Sequence, residues 1–279
     1  MKQRLLGLLF KWHSLLFARR SFYWFNYILY NLGLRGLGVL NYSSSAVSGE
    51  NDFVKRHLMG AGGGVVLDVG SNEGAYAALV RKYNLDVQVY CFEPHPVTFA
   101  KLKEKCKDLS IESLNLGVGN SVGQLTLYDY AENDGSSHAS LHREVFDHIH
   151  HAQLVSHQVP MICLDDFVLE KRIDTVKLLK IDTEGHEFSV LKGFARHIGE
   201  NKVEMIQFEF NEMNFASRVF FRDFWDFLPN YDFYRMIPDG LLPIKRYSPV
   251  LCEIFAYQNI VCKLKSSERM PDLNRSIRQ

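Results

Sequence analysis

A short glycine-containing loop follows a strongly apolar run and constrains the fold of this chain more than any other feature. The run Val65–Val69 is rich in β-branched residues and ends at Gly70, which is typical of a buried strand. The segment Asp68-Val-Gly-Ser-Asn-Glu-Gly74 then places two glycines where this strand gives way to a helix. Because glycine permits a sharp turn and a close approach of a ligand to the backbone, this segment predicts a strand–loop–helix corner that binds a cofactor.

Strands and helices alternate along the rest of the chain. The apolar patterns predict core strands at 65–69, 87–92, 111–116, 176–181, 204–210, 231–236 and 253–261, and helices at 73–83, 96–106, 187–197 and 220–228. An additional hairpin strand is predicted at 124–130, and 131–160 is predicted to be an irregular polar excursion. The alternation predicts an α/β fold with a doubly wound, mostly parallel, seven-stranded sheet.

The chain divides into an N-terminal amphipathic helical extension (1–45), a main domain (46–265) and a polar C-terminal tail (266–279). The first forty residues contain no Asp or Glu, and their longest uncharged run, 21–34, is too short to span a membrane. Two interpretations of this segment are open. We favour a cap packed on the domain, because aromatic faces bury in protein more often than in lipid. The alternative is peripheral contact of residues 1–40 with an anionic membrane.

The net charge and the cysteines of the chain indicate which classes of partner and which cellular compartment to expect. The formal net charge is +0, which disfavours nucleic acid as a partner. The five cysteines are scattered, without a CxxC pair, which is typical of free thiols in a reducing compartment. We therefore predict a cytoplasmic protein, located at the inner face of the membrane if the second interpretation of residues 1–40 holds. The sequence leaves open whether the protein forms homo-oligomers.

The glycine loop also indicates the charge of its ligand. A dinucleotide-binding loop carries glycines at its first, third and sixth positions, whereas the third position here is Asn72. Glu73, at the start of the helix, would repel phosphates. The ligand is therefore expected to carry positive charge, with Asp68 near its amine. Glu93 ends the second strand and can accept hydrogen bonds from both hydroxyls of a ribose.

Acidic residues also follow the later strands. Asp182, Glu184 and His186 come directly after the strand at 176–181, so they are expected to face the reacting centre. Glu209 lies in an apolar strand and therefore needs a partner, a raised pKa or a metal. Three roles are open for these four candidate catalytic residues. His186 or Asp182 acts as a general base, or Asp182, Glu184 and Glu209 hold a divalent ion such as Mg²⁺, or the acidic residues only hold the turn and contact the cofactor.

Several motifs occur in an order that resembles FkbM-type methyltransferases over residues 46–260. These motifs are Asp68-x-Gly-x-Asn-x-Gly74, Glu93-Pro94, Asn115-x-x-x-Gly119, Ser140-Leu141, Leu164-Asp165-Asp166 and Lys180-Ile-Asp-x-Glu-Gly-x-Glu187. The resemblance implies a Rossmann-like class I methyltransferase fold and S-adenosylmethionine as the methyl donor. It also implies O-methylation of a hydroxyl on a sugar, glycan or related secondary metabolite.

The resemblance also implies roles for individual residues. The methionine part of the donor would lie against the glycine loop, and Glu93 with Pro94 would take the ribose. The segment after Asn115, including Gly117, would lie near the adenine. The loop residues assigned to the donor are Asp68, Gly70, Ser71, Asn72 and Gly74.

Two other functions compete with a methyltransferase: an NAD-dependent Rossmann oxidoreductase and a non-catalytic, membrane-associated scaffold. Two groups of side chains also have two interpretations each. A histidine cluster is expected to belong to a lid over the acceptor pocket rather than to a metal site; its members are His138, His142, His148, His150, His151 and His157. An aromatic run is expected to be the buried face of a helix rather than a platform for a sugar ring; its members are Phe215, Phe220, Phe221, Phe224 and Trp225.

Overall fold

The computed structural model describes residues 2–130 and 154–266. The first five histidines of the predicted cluster, the Ser140-Leu141 motif and all but the first residue of the predicted tail lie outside the described residues. The α-helices are Lys2–Phe17 (α1), Tyr23–Gly36 (α2), Ser45–Ser48 (α3), Glu50–Leu58 (α4), Ala75–Tyr83 (α5), Pro96–Cys106 (α6), Leu164–Glu170 (α7), Glu187–Lys192 (α8), Ala195–Gly199 (α9), Glu212–Ala216 (α10), Phe221–Phe227 (α11) and Pro249–Cys252 (α12). The strands are Gly64–Val69 (β1), Val87–Phe92 (β2), Ile111–Leu114 (β3), Gly117–Val118 (β4), Gly123–Tyr130 (β5), Leu154–Ile162 (β6), Val176–Ile181 (β7), Val203–Phe210 (β8), Tyr231–Ile237 (β9), Gly240–Ile244 (β10) and Gln258–Leu264 (β11).

The main sheet confirms the predicted doubly wound α/β architecture. Its strand order is β10-β9-β11-β8-β7-β1-β2-β3, and the five strands from β8 to β3 are mutually parallel. The last strand, β11, runs antiparallel to both β8 and β9. Within the described residues the sheet has eight strands rather than the seven predicted, because β10 pairs with β9 as a terminal hairpin.

Both faces of the sheet are buried, which explains the continuous apolar runs of its strands. Successive side chains of a strand point to opposite faces, so neighbouring residues enter different cores. Leu67 belongs to one core, whereas Val66 belongs to the other. Leu179 and Leu178 divide in the same way on β7. This double burial places the polar ends of the strands, rather than their middles, where a ligand can reach them.

A second, smaller sheet corrects the prediction for residues 131–160. Within the described part of that range, β6 pairs antiparallel with β5, and β4 pairs in parallel with β6. The polar residues that made this strand look irregular alternate with buried ones, since Val159 and Met161 pack on Leu127. One face of this sheet is therefore a hydrophobic surface.

Other element boundaries differ from the prediction for local reasons. The helix predicted at 187–197 is two helices, because Gly193 ends α8 and packs against the carbonyl oxygen of Gly119. The strand predicted from 253 begins only at Gln258, because the backbone turns before it: the N–H of Ile254 donates to the carbonyl oxygen of Cys252, and the N–H of Ala256 to that of Ile254. The helix predicted from 73 begins at Ala75, after Gly74 in the left-handed conformation.

The favoured interpretation of the N-terminal segment as a packed cap is wrong for most of α1 and α2. Nearly all of their side chains are exposed, and burial against the domain begins only at Leu34 and Val39. No helix within the described ranges has both the length and the apolar character that crossing a membrane requires.

Gly49 joins the N-terminal region to the main sheet and provides a test of this packing. It lies between α3 and α4 with φ +92°, and a Cβ atom added there would lie 2.3 Å from the carbonyl oxygen of Ile237. We expect Gly49→Ala to lower the free energy of unfolding by about 2–4 kcal/mol, because it adds backbone strain and a clash with main chain. Chemical denaturation measures this loss.

Gly199→Ala is the matched control for Gly49→Ala. Gly199 ends α9, and nothing lies within 4 Å of a Cβ atom built on it. Its free energy of unfolding should therefore stay within about 0.5 kcal/mol of the wild-type value. Equal effects of the two substitutions would contradict the close packing at Gly49.

Candidate functional site

The topology places the site where the strand order reverses. From β1 the chain proceeds to β2 and β3 on one side, and β7 and β8 lie on the other. Ligands of open α/β sheets bind in the crevice beyond the carboxyl ends of strands at such a switch point. Gly70 follows β1 here, and a Cβ atom built on it would lie 1.8 Å from the carbonyl oxygen of Asp182. Glycine is therefore required for the loops after β1 and β7 to meet.

A cavity of about 650 Å³ lies beyond these strand ends. This volume falls within the range of small-molecule binding pockets, roughly 300–1,000 Å³. The predicted site residues that line it are Gly70, Asn72, Glu93, Pro94, Gly117, Asp182, Glu184, His186 and Glu209. The fold therefore brings together most of the residues that the sequence assigned separately to cofactor binding and catalysis.

Glu93 holds the glycine loop in its conformation. One of its carboxylate oxygens accepts the backbone N–H of Asn72 at 2.9 Å, and the other accepts that of His95 at 2.9 Å. Asn72 has φ +47°, in the left-handed region that few residues other than glycine adopt. Burial raises the pKa of Glu93 to about 7, although both hydrogen bonds favour its ionised form. This carboxyl therefore gains or loses its proton near neutral pH.

The remaining predicted cofactor residues lie behind the cavity wall rather than on it. The Asn115 side chain donates to the carbonyl oxygens of Glu93 (2.8 Å) and Pro94 (2.9 Å), so it holds the turn after β2. The Ser71 hydroxyl donates to the backbone carbonyl of Asp68 at 2.7 Å. Gly74 packs against Leu102 of α6. These residues shape the loop without lining the cavity.

Asp68 is fully buried and lies next to a lysine. Its carboxylate is 3.6 Å from the ammonium of Lys180, and that ammonium donates at 3.1 Å to Asp182. Burial raises the pKa of Asp68, and the charge of Lys180 opposes that shift. Asp68 is thus placed to balance a buried lysine, and its predicted position near a cofactor amine stays a prediction.

Lys180 is a site residue whose role the sequence did not reveal. Burial lowers the pKa of its ammonium, but nearby carboxylates outweigh that effect and raise it well above the usual value. The carboxylates responsible are Asp182, Asp68 and Glu50. Its signal in the sequence was a lysine near the end of an apolar strand, which is costly to bury without a counter-charge.

The cavity holds a concentration of carboxyl groups on its β7 and β8 side. Burial is the main cause that raises the pKa of Glu184 to about 8, and repulsion from Asp182, Glu187 and Glu212 adds to it. Burial followed by repulsion from Asp182 and Glu184 also raises the pKa of Glu209 well above its usual value. These groups therefore hold protons at a pH where ordinary carboxyls are ionised.

Asn211, which follows β8, joins two of these carboxyls. Its side-chain amide hydrogen-bonds to Glu209 and also to Glu184. The Asn211 side-chain oxygen accepts the backbone N–H of Met213 and so caps α10. The sequence signal was an asparagine between a strand and a helix, which is the usual place for a helix cap.

Glu187 organises the loop that carries the catalytic candidates. It is buried, and one oxygen accepts the backbone N–H groups of Thr183 (3.1 Å) and Gly185 (3.0 Å). Its other oxygen accepts the side-chain amide of Asn214 at 3.1 Å. Glu184, between these donors, has φ +53° and faces the cavity. The last glutamate of the motif therefore shapes the loop, whereas Glu184 lines the cavity.

His186 also lines the cavity, next to the start of α8. A Cβ atom built on Gly119 would lie 2.9 Å from its Nε2 atom, so the glycine leaves room for the ring. Across residues 2–130 and 154–266, no three His, Cys, Asp or Glu side chains form a group that could hold a metal ion. A divalent-ion role for Asp182, Glu184 and Glu209 therefore stays a prediction.

The N-terminal segment supplies part of the wall, which the sequence did not predict. Leu40 and Tyr42 line the cavity together with Tyr257. The backbone N–H of Leu40 donates to the carbonyl oxygen of Tyr257 at 2.7 Å, and the rings of Tyr42 and Tyr257 pack edge to face. These residues come from chain positions more than two hundred residues apart, so only the tertiary structure joins them.

The aromatic run after β8 is divided between two environments. Phe221 and Phe224 are buried and Trp225 is half-buried, as predicted for the inner face of a helix. That prediction is wrong for Phe215 and Phe220, which are 71% and 50% exposed. Both of these rings pack edge to face on Phe255.

Comparison with known proteins identifies a family that shares these motifs. The sequence profile described as "Methyltransferase FkbM domain" matches residues 68–234. This range begins at the glycine loop and includes the predicted site residues that line the cavity, from Gly70 to Glu209. The lining residues Leu40, Tyr42 and Tyr257 lie outside it.

Two curated relatives are methyltransferases. One is the 2-O-methyltransferase NoeI of Sinorhizobium fredii, 22% identical over 186 residues that cover 63% of this chain and 76% of that protein. Another is the hexuronic acid methyltransferase AglP of Haloferax volcanii, 28% identical over 150 residues that cover 53% of this chain and 57% of that protein. This chain thus aligns with little more than half of the second relative.

Among solved structures, a putative rRNA-methylase from Clostridium thermocellum is similar with a TM-score of 0.42 and 11% identity. The alignment covers 78% of this chain and 94% of that one. A similarity of this size carries no argument about substrate.

The pKa of Glu184 predicts how stability depends on pH. In the unfolded chain this glutamate ionises near its ordinary value of 4.5, whereas in the folded protein it keeps its proton up to about pH 8. Between these values the folded state binds the extra proton, so stability falls as pH rises. Glu184→Gln cannot ionise and should lose this decline.

We expect the free energy of unfolding of Glu184→Gln, measured relative to that of wild type, to rise on the order of 1–2 kcal/mol between about pH 5 and about pH 9. This value is reduced for the partial exposure of the side chain. Urea denaturation across that range measures the difference. Glu204→Gln, exposed on β8, is the control and should follow the wild-type profile. A constant difference between Glu184→Gln and wild type would show that Glu184 has an ordinary pKa.

Proposed function

The chain belongs to the FkbM methyltransferase family, and we propose that it transfers the methyl group of S-adenosylmethionine to a hydroxyl oxygen of a saccharide. That it is an S-adenosylmethionine-dependent methyltransferase follows from the family. The acceptor class is the proposed part. It is supported by the names of two relatives, a 2-O-methyltransferase and a hexuronic acid methyltransferase.

One observation carries the proposal: Glu93 at the end of β2 lines the same cavity as the carboxyls that follow β7 and lie in β8. The described residues of the lining include five acidic side chains and neither lysine nor arginine. S-Adenosylmethionine carries a sulfonium, an ammonium and one carboxylate, so its net charge is positive. A cavity lined by carboxyl groups is complementary to such a cation, because the bound cation favours their ionised form. The pyrophosphate of NAD would be repelled there, which argues against the oxidoreductase alternative.

The residues present fit three parts of this cofactor: the ribose, the methionine part and the base. The Glu93 carboxylate is the acceptor that a ribose diol needs. Gly70 and Asn72 leave backbone exposed to the cavity beside Asp182, where the methionine part would lie. The apolar side chains Phe92, Leu116 and Val118 lie in the same lining and offer a surface for a flat base. Gly117, between two of them, packs against Met161, since a Cβ atom built on this glycine would lie 2.2 Å from the Met161 sulfur.

The cofactor supplies an electrophilic methyl group, and the protein must remove the proton of the acceptor hydroxyl. We assign this role to Glu184, because its pKa of about 8 lies near the working range of a general base. A cation bound beside it would favour its ionised form, so the base would form as the cofactor enters. Asp182 faces the same cavity with Lys180 as its counter-ion and would orient the acceptor. His186 is the alternative base.

Exposed aromatic rings next to the cavity support a saccharide acceptor. Glu212 lines the cavity, and Phe215 follows it by three residues on α10, so the two lie on one helix face. Phe215 and Phe220 are exposed, and both pack on the half-buried Phe255 to form one aromatic cluster. Rings of this kind stack on the apolar faces of pyranoses. The acceptor would therefore extend from the carboxyl groups toward Phe215.

The titration of Glu93 predicts how cofactor affinity depends on pH. Its carboxyl ionises around pH 7, and only the ionised form accepts hydrogen bonds from both ribose hydroxyls without a competing proton. We expect the affinity for S-adenosylhomocysteine to rise about tenfold as pH increases from about 6 to about 8, as for hydrogen bonds to a charged group. Isothermal titration calorimetry measures it.

Glu93→Gln is neutral at every pH and should bind more weakly, without the pH-dependent rise. Glu112→Gln, which replaces a partly exposed glutamate on β3, is the control and should keep the wild-type rise.

The same titration with added Mg²⁺ tests the divalent-ion role, since a gain in affinity would support Asp182, Glu184 and Glu209 as ligands. No binding of S-adenosylhomocysteine at any pH would sink the proposal and favour the scaffold alternative.

The role of Glu184 predicts a separation between binding and catalysis. We expect Glu184→Gln to lower kcat at least about 100-fold, the usual contribution of a general base. Its affinity for S-adenosylhomocysteine should change much less. Methyl transfer from radiolabelled S-adenosylmethionine to hexuronic acid and neutral saccharides provides the assay. Wild-type kcat in Glu184→Gln together with its loss in Asp182→Asn or His186→Asn would move the role to that residue.

A further inference from the structure

The two N-terminal helices carry a large apolar surface that the domain leaves exposed. From residue 4 to residue 33, only five side chains are even partly buried, at positions 13, 17, 22, 26 and 31. The large hydrophobic side chains exposed on α1 and α2 are Leu5, Leu6, Leu8, Leu9, Phe10, Trp12, Leu15, Leu16, Tyr23, Trp24, Phe25, Tyr27, Ile28, Leu29, Tyr30 and Leu32. A contiguous apolar surface of this extent marks an interaction site.

Some of the partly buried side chains pack at the junction between α1 and α2. Phe17 packs edge to face on Phe22, and it also contacts Phe25. The side-chain amide of Asn26 donates to the carbonyl oxygen of Phe17 at 2.8 Å. These contacts fix the junction between α1 and α2, while the apolar side chains along the rest of both helices face solvent.

The charge of this segment has a single sign. Its basic residues are Lys2, Arg4, Lys11, Arg19, Arg20 and Arg35, and the first acidic residue of the chain is Glu50. On α1, Arg4, Lys11 and Ser14 are separated by seven and three residues, so they share one face. A wide apolar face with a narrow basic face is typical of a helix that lies in the interface of an anionic bilayer.

We propose that residues 4–37 dock this protein on an anionic lipid bilayer. The apolar side chains of α1 and α2 enter the boundary between headgroups and acyl chains, where Trp and Tyr rings are favoured. The basic side chains contact the anionic headgroups, and their long stems allow them to reach around the helix. A second copy of the chain is disfavoured as the occupant, because a symmetric contact would bring the two basic segments together.

The docking surface leads directly to the cavity. Beyond α2, the chain is fixed to the domain by the hydrogen bond from Leu40 to Tyr257 and by Gly38, whose Cβ position is filled by the carbonyl oxygen of Met236. Tyr42, which lines the cavity, is six residues beyond the end of α2, a separation of at most about 20 Å along the chain. Docking would therefore hold the cavity close to the bilayer. This inference does not depend on the identity of the acceptor.

Flotation of the purified full chain with vesicles tests the proposal. We expect the protein to float with vesicles of phosphatidylcholine mixed with phosphatidylglycerol, and much less with phosphatidylcholine alone. High salt should weaken the binding because it screens the charges of the headgroups. Failure to float with the mixed vesicles at low salt would overturn the proposal.

Two double substitutions of exposed side chains separate the electrostatic and apolar contributions to vesicle binding. Arg19→Glu with Arg20→Glu should lower the partition coefficient at least about 30-fold, the effect of losing two basic contacts. Trp12→Ser with Trp24→Ser should lower it at least about tenfold, through lost apolar contact. These side chains are exposed, so unchanged binding of S-adenosylhomocysteine should show that both variants are folded.

Lys103→Glu with Lys105→Glu is the matched control, because both lysines are exposed on α6 and the change in charge is the same. It should partition like the wild type. Equal losses for the two charge reversals would show attraction by net charge alone and overturn the docking surface. A lipid-free dimer that Trp12→Ser with Trp24→Ser dissociates would also overturn it, since a second copy would then cover this surface.

Discussion

The buried ammonium of Lys180 is the interaction on which the rest of the site depends. It lies between Asp68 at the end of β1 and Asp182 after β7, and thus joins the two strands at the switch point. A buried lysine is costly without counter-charges, and these carboxylates, together with Glu50 of α4, supply them. The same positive charge allows acidic residues to concentrate around one cavity. Loss of Lys180 would leave the carboxyls of the site repelling one another without a buried counter-ion.

The carboxyl groups that line the cavity lie in different surroundings on its two sides. Glu184 and Glu209 lie on the β8 side of the cavity, where burial and mutual repulsion raise the pKa of each. Glu93, on the other side, is held by two backbone N–H groups and has a pKa of about 7. One cavity therefore contains carboxyls of different basicity, a separation that suits one to binding and another to proton transfer.

The N-terminal segment connects this site to the outside of the molecule. Its exposed helices carry aromatic and basic side chains, whereas the residues directly after them line the cavity beside Tyr257. Docking and catalysis would then depend on one continuous stretch of chain. The aromatic cluster around Phe255 adds a second exposed surface near the same cavity. An acceptor could contact the carboxyl groups and this cluster together.

The sequence by itself determined the architecture and the location of the site. Buried strands are recognisable as apolar runs, and the glycines and carboxyls after them identify the ligand-binding edge, so Gly70, Glu93 and Asp182 were all predicted in place. Only the tertiary structure decided which polar residues line the cavity and which support it. Asp68 pairs with Lys180, Asn115 hydrogen-bonds to the turn after β2, and Glu187 hydrogen-bonds within its own loop. It also placed Tyr42 against Tyr257 and left α1 exposed. The reason is that periodicity reports whether a side chain is buried, whereas its partner depends on contacts between distant parts of the chain.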